Sequence, residues 1–392
     1  MELSKEKSSK SPNRSRVLYY IKKYGNLTIE DCINKSGLSR PTILKILQDL
    51  KEDKIISCNG FKESTGGRAA RLFHIDDKTL LSIGIILFYP TLNLVVGNLR
   101  GDTLFSSYTP FRENITYEEL MQLLYDKIGE AKNFINGLNA KLLGIGVGLP
   151  GRIDIRKGIS VNIERITGWN NIPICKLLEE RYQVPVLLNN DITLISMVNI
   201  EANLLLGKSL LYIRMHKGGL GSAHYYKENL VDGKNGNSSN FGHIVIERGG
   251  RPCYCGNKGC LEMTASFCHM LNIYRESLPL SQVNDFAGLV ARLRENDPLA
   301  RDIIFNGGYQ VGLAIANIVK MNELDLVVIS IPKELKLDEY FRGIRKGYNE
   351  TILPSVKELT RFKIEYMEEE NTAIGAAKHV ANELVFKNVS EH

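Results

Sequence analysis

The chain has 392 residues, 43% of them hydrophobic, and 50 Lys/Arg against 44 Asp/Glu give a net charge of +6. That length exceeds what one hydrophobic core organises, so two or three domains are expected, and the hydrophobic share is that of an ordinary globular protein. Seven cysteines, an odd number, fit reduced thiols or metal ligands better than a disulfide framework, and the Lys/Ser/Arg-rich residues 1–16 have no apolar stretch behind them, which argues against a signal peptide or membrane anchor and for the cytoplasm.

The charge is unevenly placed. Residues 1–75 carry 15 Lys/Arg and 8 Asp/Glu, a net +7, while the rest carries 35 and 36, a net −1. A basic module on a near-neutral body implies a polyanion partner for that module alone, because Lys and Arg neutralising phosphates supply most non-specific nucleic-acid affinity.

In chain order, residues 1–16 are expected to form a basic flexible tail and residues 17–76 a small DNA-binding module. Residues 17–24 give an apolar face at helical spacing, and Thr28 opens a second short helix with Ile29, Cys32 and Ile33 turned inward. A turn at Ser36-Gly37 precedes a third helix that Ser39 can cap, with Pro41 tolerated in its first turn and Ile43, Leu47 and Leu50 facing the core. Two strands, Ile55-Ile56 and Leu72-Phe73-His74-Ile75, flank a polar loop containing Gly66-Gly67-Arg68 and complete a β-wing. This pattern predicts a winged helix-turn-helix that presents Ser39, Arg40, Thr42 and Lys45 to the major groove of double-stranded DNA, with Arg68 reaching the backbone or a minor groove. Small trihelical modules also serve protein contacts, and the sequence leaves that alternative open.

From about residue 78, strands at 80–87, 92–99 and 142–149 alternate with a helix at 117–136, which predicts an α/β domain. The buried-strand run at 184–188 empties into Asn189-Asn190-Asp191. A carboxylate beside an amide at a strand's C-terminal end suits polyol recognition or proton abstraction from a hydroxyl, with helix capping by Asp191 as the competing reading. Further on, residues 243–262 bring three cysteines and one histidine into a glycine-punctuated segment. His243, Cys253, Cys255 and Cys260 make a tetrahedral thiolate and imidazole set for one zinc ion per chain, and such a closed site is structural. The Asn, Lys and Gly between the cysteines argue against thiols packed in an apolar core.

Gly146-Val147-Gly148-Leu149-Pro150-Gly151, Gly168-Trp169-Asn170, Asn190-Asp191, Gly242-His243 and the segment running from Cys253 to Glu262 resemble, in order and spacing, the ROK family of repressors, open reading frames and kinases. The match extends over nearly the whole chain, since the N-terminal module resembles the winged helix of the family's regulators. The resemblance implies a two-lobed, actin-like (RNase H-like) α/β body with a sugar in the cleft, assembled as a homodimer or homotetramer. Lobe 1 would span 78–190, completed by a C-terminal helix at 371–386, and lobe 2 would span 191–370 with the zinc knuckle at 243–262. The family's sugar-contacting positions fall on Asn190, Asp191, His243 and Glu262, and in kinase members the residue at Asp191 is the base that deprotonates the sugar hydroxyl.

Several departures decide the expected activity. Where family kinases carry Asp-x-Gly-Gly-Thr to cradle phosphate, this chain has Ile86, Phe88, Tyr89 and Pro90, whose bulk blocks backbone approach and of which Pro90 has no amide donor. The second glycine-rich turn survives in part as Lys217-Gly218-Gly219-Leu220-Gly221, and Ser330-Ile331-Pro332 replaces the Gly-Gly expected at the adenosine. Asn240 replaces the family's Glu ahead of His243, exchanging a double acceptor for one acceptor and two donors. The expectation is a non-enzymatic transcriptional regulator, a repressor of carbohydrate genes, whose sugar or sugar-derivative effector meets Asn190, Asp191, Asn240, His243 and Glu262. The alternatives are an ATP-dependent sugar kinase with an appended winged helix and a DNA-binding scaffold whose body only oligomerises.

Overall fold

Local capping signals build the first module. Thr28 closes a capping box with Asp31 at the start of α2 (Ile29–Ser36), which follows α1 (Pro12–Tyr24) and precedes α3 (Arg40–Glu52). Strands β1 (Ile56–Lys62) and β2 (Ala70–Ile75) pair antiparallel as the wing, and Leu27 bridges to Phe73 as a short third edge. Helix α1 starts at Pro12, so the tail expected over 1–16 is corrected: Arg14, 9% exposed, is drawn into the module by a 2.6 Å ion pair with Asp53 at the end of α3. The computed structural model describes residues 12–62, 69–202, 207–216, 219–227, 229–231, 233, 240–333, 335, 337–367 and 372–387. Arg68, expected on the wing, and Lys217 and Gly218 of the second glycine-rich turn lie outside these residues.

The body opens with a meander, β3 (Leu80–Phe88), β4 (Thr91–Asn98) and β5 (Thr103–Pro110), followed by α4 (Tyr117–Gly137) and β6 (Lys141–Leu149). A small sheet of β7 (Arg152–Asp154), β8 (Ile159–Asn162) and β9 (Asn170–Ile172) then leads through α5 (Ile174–Tyr182) to β10 (Val186–Asn190) and α6 (Asp191–Ala202). The first large sheet runs β10-β6-β3-β4-β5, with β10, β6 and β3 parallel and the meander antiparallel. β3 and β4 are buried on both faces because helices cover each side, which explains their continuous apolar runs.

A second sheet repeats the plan. It contains β11 (Leu210–His216), β12 (Gly219–Tyr226), β13 (Asn229–Leu230), β14 (Leu326–Pro332) and β15 (Arg361–Met367) in the order β13-β12-β11-β14-β15, again a meander extended by two parallel strands. Between β13 and β15 lie α7 (Glu262–Ala265), α8 (Phe267–Ser277), α9 (Phe286–Arg294), α10 (Pro298–Asn322) and α11 (Asp338–Thr351), which share one apolar core with this sheet. This duplicated mixed α/β arrangement is that of an actin-like body carrying an N-terminal helical module.

Helix α6 lies between the sheets: Ile192, Leu194 and Ile195 share a core with Ile86 and Val95 of the first and Leu210, Tyr212 and Ala223 of the second. The last helix, α12 (Ile374–Ala381), packs on β3, β4, β6 and α6 and continues as a π-helical turn over Asn382–Phe386. Gly146 on β6 permits this approach, since a side chain there would collide with the Ala376 carbonyl of α12. Val380, Ala381 and Phe386 join the apolar core of the winged helix with Val17, Leu18 and Ile21, so the C-terminal segment holds the module against the first sheet. Among the described residues, no helix is long and apolar enough to cross a membrane.

Candidate functional site

A cleft of about 410 Å³ opens between the two sheets, lined by Tyr89 and Pro150 to Arg152 on one side and His216, Asn240 and His243 on the other, with Asp191 at its base. The end of β10 explains how Asp191 comes to face it. Asn190 Oδ1 accepts from Ile192 N at 3.0 Å and Thr193 N at 3.4 Å, so Asn190 supplies the cap of α6 and does not line the cleft. Asp191, 3% exposed, accepts from the Ile192 N–H at 2.8 Å and from its own backbone N–H, and burial outweighs both bonds to push its carboxyl up to about 7. Capping, left open at Asp191, is therefore done by its neighbour.

Glu262 sits behind the cleft at the start of α7. One carboxylate oxygen accepts from Leu220 N at 2.9 Å, while Oε1 is buried with no hydrogen-bond partner. Burial, with Cys268 nearby, pushes this carboxyl up to about 7 against the opposing pull of His269, the Leu220 N–H and Arg165. Asn240 precedes a single 3-10 turn, Phe241–His243, that carries it and His243 into the cleft. His216 packs edge-on against Phe88, ring centroids 4.3 Å apart, and burial together with the Arg214 and Arg165 charges holds its imidazole well below the ordinary range. His216, Tyr254 and Arg165 were not singled out from sequence; each is brought in by an element distant in the chain. Arg165 belongs to the turn before Gly168, a motif whose glycine marks the loop but not the direction of its neighbours.

The ligand atoms of His243, Cys253, Cys255 and Cys260 all lie within 4.8 Å of one another. Cys255 Sγ is 3.6 Å from Cys260 Sγ, and Cys253 Sγ is 3.6 Å from His243 Nδ1. Sulfurs around a tetrahedral zinc with bonds of about 2.3 Å stand roughly 3.8 Å apart, so the donor set fits a metal ion. Gly259 shapes the knuckle: its φ of 74° is the left-handed region, and a side chain there would strike the Glu247 carbonyl. The Leu261 N–H donates to Ile244 O at 2.9 Å and closes the loop on itself.

At the β3–β4 turn the ladder runs without a break to the Phe88–Thr91 pair, and Thr91 Oγ1 donates to Phe88 O at 2.7 Å. Ile86 is fully buried and Phe88 is 8% exposed, so the hairpin presents side chains where a glycine loop would present amides. On α3, Ser39, Arg40, Leu44, Lys45 and Gln48 form an exposed face, with Thr42 half-buried. Ser39 does not cap the helix; its hydroxyl pairs with that of Thr42 at 2.8 Å. Arg40 is ion-paired with Glu30 of α2. Leu44 and Gln48 were missed in the sequence because an apolar and a neutral residue carry no charge signal.

The ROK family profile matches residues 91–383. A xylose repressor from Caldicellulosiruptor bescii is 23% identical over 334 residues, covering 80% of this chain and 81% of the relative. A glucokinase from Halalkalibacterium halodurans is 28% identical over 248 residues, covering 60% of this chain and 74% of the enzyme. A crystal structure described as a ROK family transcriptional regulator, a homologue of the E. coli MLC protein, superposes with a TM-score of 0.79 at 20% identity over 96% of each chain. The relatives thus include a repressor that aligns over four-fifths of this chain and a kinase that aligns over a shorter span.

Proposed function

The chain belongs to the ROK family, and from that membership we propose that it is a cytoplasmic, homo-oligomeric DNA-binding transcriptional repressor of carbohydrate genes, controlled by a sugar or sugar-derivative effector in the cleft between its sheets. One observation carries the reading. Helix α12 packs both on α6, whose first residue Asp191 lines the cleft, and on the core of the winged helix. A ligand that closes the cleft therefore has a packed route to the DNA-binding module, and it shifts DNA affinity only by binding two arrangements differently. Half-sites on DNA repeat with the helical turn, so a modest change in module separation across the oligomer takes recognition helices out of register.

In this reading Asp191, Asn240 and His243 meet the hydroxyls of the effector, and the unpartnered oxygen of Glu262 accepts from one that reaches past the cleft floor. Ser39, Arg40, Thr42 and Lys45, together with Arg68, contact the operator. The His243, Cys253, Cys255 and Cys260 set holds one structural zinc ion per chain, which ties the segment behind the cleft to the 3-10 turn carrying Asn240. The side chains of Ile86, Phe88 and Tyr89, with Pro90, support a cleft that takes no nucleotide and performs no phosphoryl transfer.

The test is operator binding by the full chain in the presence and absence of a sugar panel. Binding to the protein's own promoter region should be lost on deleting residues 1–75 and altered by one sugar class in the full chain. Retained binding by the truncated body would reject the assignment, and sugar-dependent ADP release would select the kinase.

A further inference from the structure

Two arginines line the cleft: Arg152 is exposed, whereas Arg165 is half-buried between two rings. Its guanidinium carbon lies 5.4 Å from the ring centroid of Tyr89, at the β3–β4 turn, and 5.4 Å from that of Tyr254, on the metal knuckle. It also donates to the Cys268 thiol, and its charge is felt at His216, whose imidazole it helps to depress. Among the described residues no carboxylate stands within ion-pair distance of it, whereas Arg40 and Arg251 each have one. The neighbouring Glu164 is engaged elsewhere, accepting from Asn162 Nδ2 at 2.8 Å. A guanidinium stays charged at any accessible pH, and Glu262 acts on this one only from beyond ion-pair distance, so its bidentate donor edge has no carboxylate in direct contact among the described residues.

Arg165 and Tyr89 also form the shared wall between the 410 Å³ cleft and an adjoining chamber of about 960 Å³, whose lining includes Arg275 and Lys333 and the carboxylates of Glu113 and Asp285. A substituent projecting from a sugar held at Asp191 and Asn240 would meet Arg165 at this wall, before the mixed-charge chamber beyond it. Neutral hydroxyls are served by the amide and carboxyl groups of the inner cleft; a planar, fixed donor fork matches a phosphate or carboxylate.

We infer that Arg165 selects the charge of the ligand, so that the cleft takes a sugar derivative bearing an anionic group, a phosphate or a carboxylate, in preference to the neutral sugar. The inference rests on the reading of the cleft as an effector site.

The experiment uses the full-length, metal-loaded protein and calorimetry on matched pairs: hexoses against their 6-phosphates, N-acetylhexosamines against theirs, and hexoses against the corresponding uronates. The expected result is at least tenfold tighter binding of the anionic member of one pair, the phosphate and uronate arms telling which anion is read. Arg165→Gln should reduce that preference below twofold, and Arg165→Lys should keep part of it. Equal or tighter binding of the neutral members, or a preference that survives in Arg165→Gln, overturns the inference while leaving the sugar reading intact. If Arg165 only staples the two tyrosines, Arg165→Gln lowers the melting temperature and leaves the preference unchanged, which also overturns it. Should no member of any pair bind, the sugar reading itself fails and the inference with it.

Discussion

Lys22 reaches from α1 of the winged helix over the ring of Phe386, 4.3 Å from its centroid, and donates to Asn382 Oδ1 at 3.1 Å. The ring is 7% exposed and belongs to the same apolar core as Val17, Leu18 and Ile21. The last turn of the body is thus part of the DNA-binding module, while α12, which runs directly into it, is packed on β3, β6 and α6.

That junction predicts an uncoupling mutant. Phe386→Ala removes an aromatic from the core between module and body, a change that costs roughly 3–5 kcal/mol where it is fully felt. Module and body should then unfold in two separate calorimetric transitions, and effector-induced change in operator affinity should fall severalfold. A single transition with the full effector response would place the coupling elsewhere.

For the metal centre, Cys255→Ser should bind well under one equivalent of zinc by elemental analysis and melt several degrees lower, because zinc binding to such a set is itself folding free energy. Chelation of the parent should reproduce the loss. A variant without metal but with an unchanged melting temperature would deny the ion a structural role.

The separation between what the sequence discloses and what it hides follows chain distance. Thr28 and Asp31 are three residues apart, and the His243, Cys253, Cys255 and Cys260 donor atoms that converge fall within residues 243–260, so the cap and this cluster are readable from spacing alone. β5 escapes the sequence reading because it is an edge strand whose open face mixes Leu104, Ser106, Tyr108 and Pro110, so the exposed positions carry no polar alternation. Asn190 was taken as a ligand contact, yet its amide caps α6, a role indistinguishable in sequence from that of Asp191. Arg165 could not be found at all, since the Tyr89 and Tyr254 rings that flank it come from a hairpin turn and a knuckle far apart in the chain.

Asp191 carries a pH signature. Its carboxyl is raised from 3.8 to about 7 by burial, so the folded state holds the proton more tightly than the unfolded chain. The stability this contributes is fully present below the unfolded value near 4 and is lost as pH rises through about 7, a loss of up to roughly 4 kcal/mol. Asp191→Asn should therefore melt higher than the parent at pH 8, with the gap closing toward pH 4. A melting difference independent of pH would mean the carboxyl is ionised throughout.

The β3–β4 hairpin predicts a silent kinase assay. Phe88 and Tyr89 occupy the turn with side chains, and Pro90 offers no amide, so ATP should produce no thermal shift and no sugar-dependent ADP. ADP release abolished by Asp191→Ala would show that the nucleotide binds without the glycine turn.

On the DNA-facing helix, the Arg40–Glu30 ion pair sets two residues of the same face apart. Arg40 is neutralised in the free protein, whereas Lys45, exposed one turn along, has no carboxylate partner among the described residues. Arg40 must exchange Glu30 for a phosphate or base on binding, which offsets part of its gain; Lys45 adds its full charge. Lys45→Ala should weaken operator binding by roughly 1–3 kcal/mol if it reads a base, losing more on operator than on random DNA, and otherwise should lower the slope of log K against log salt by about 0.9. Removing the competitor works in the opposite direction. Glu30→Gln frees the Arg40 guanidinium, so non-specific affinity should rise and the salt slope should steepen by about 0.9 as one more phosphate is neutralised. Titrations across salt concentration, on operator and random duplexes, measure both effects. If Glu30→Gln weakens binding at every salt concentration, the ion pair orients Arg40 toward the groove rather than holding it back, and the order of the two residues is reversed.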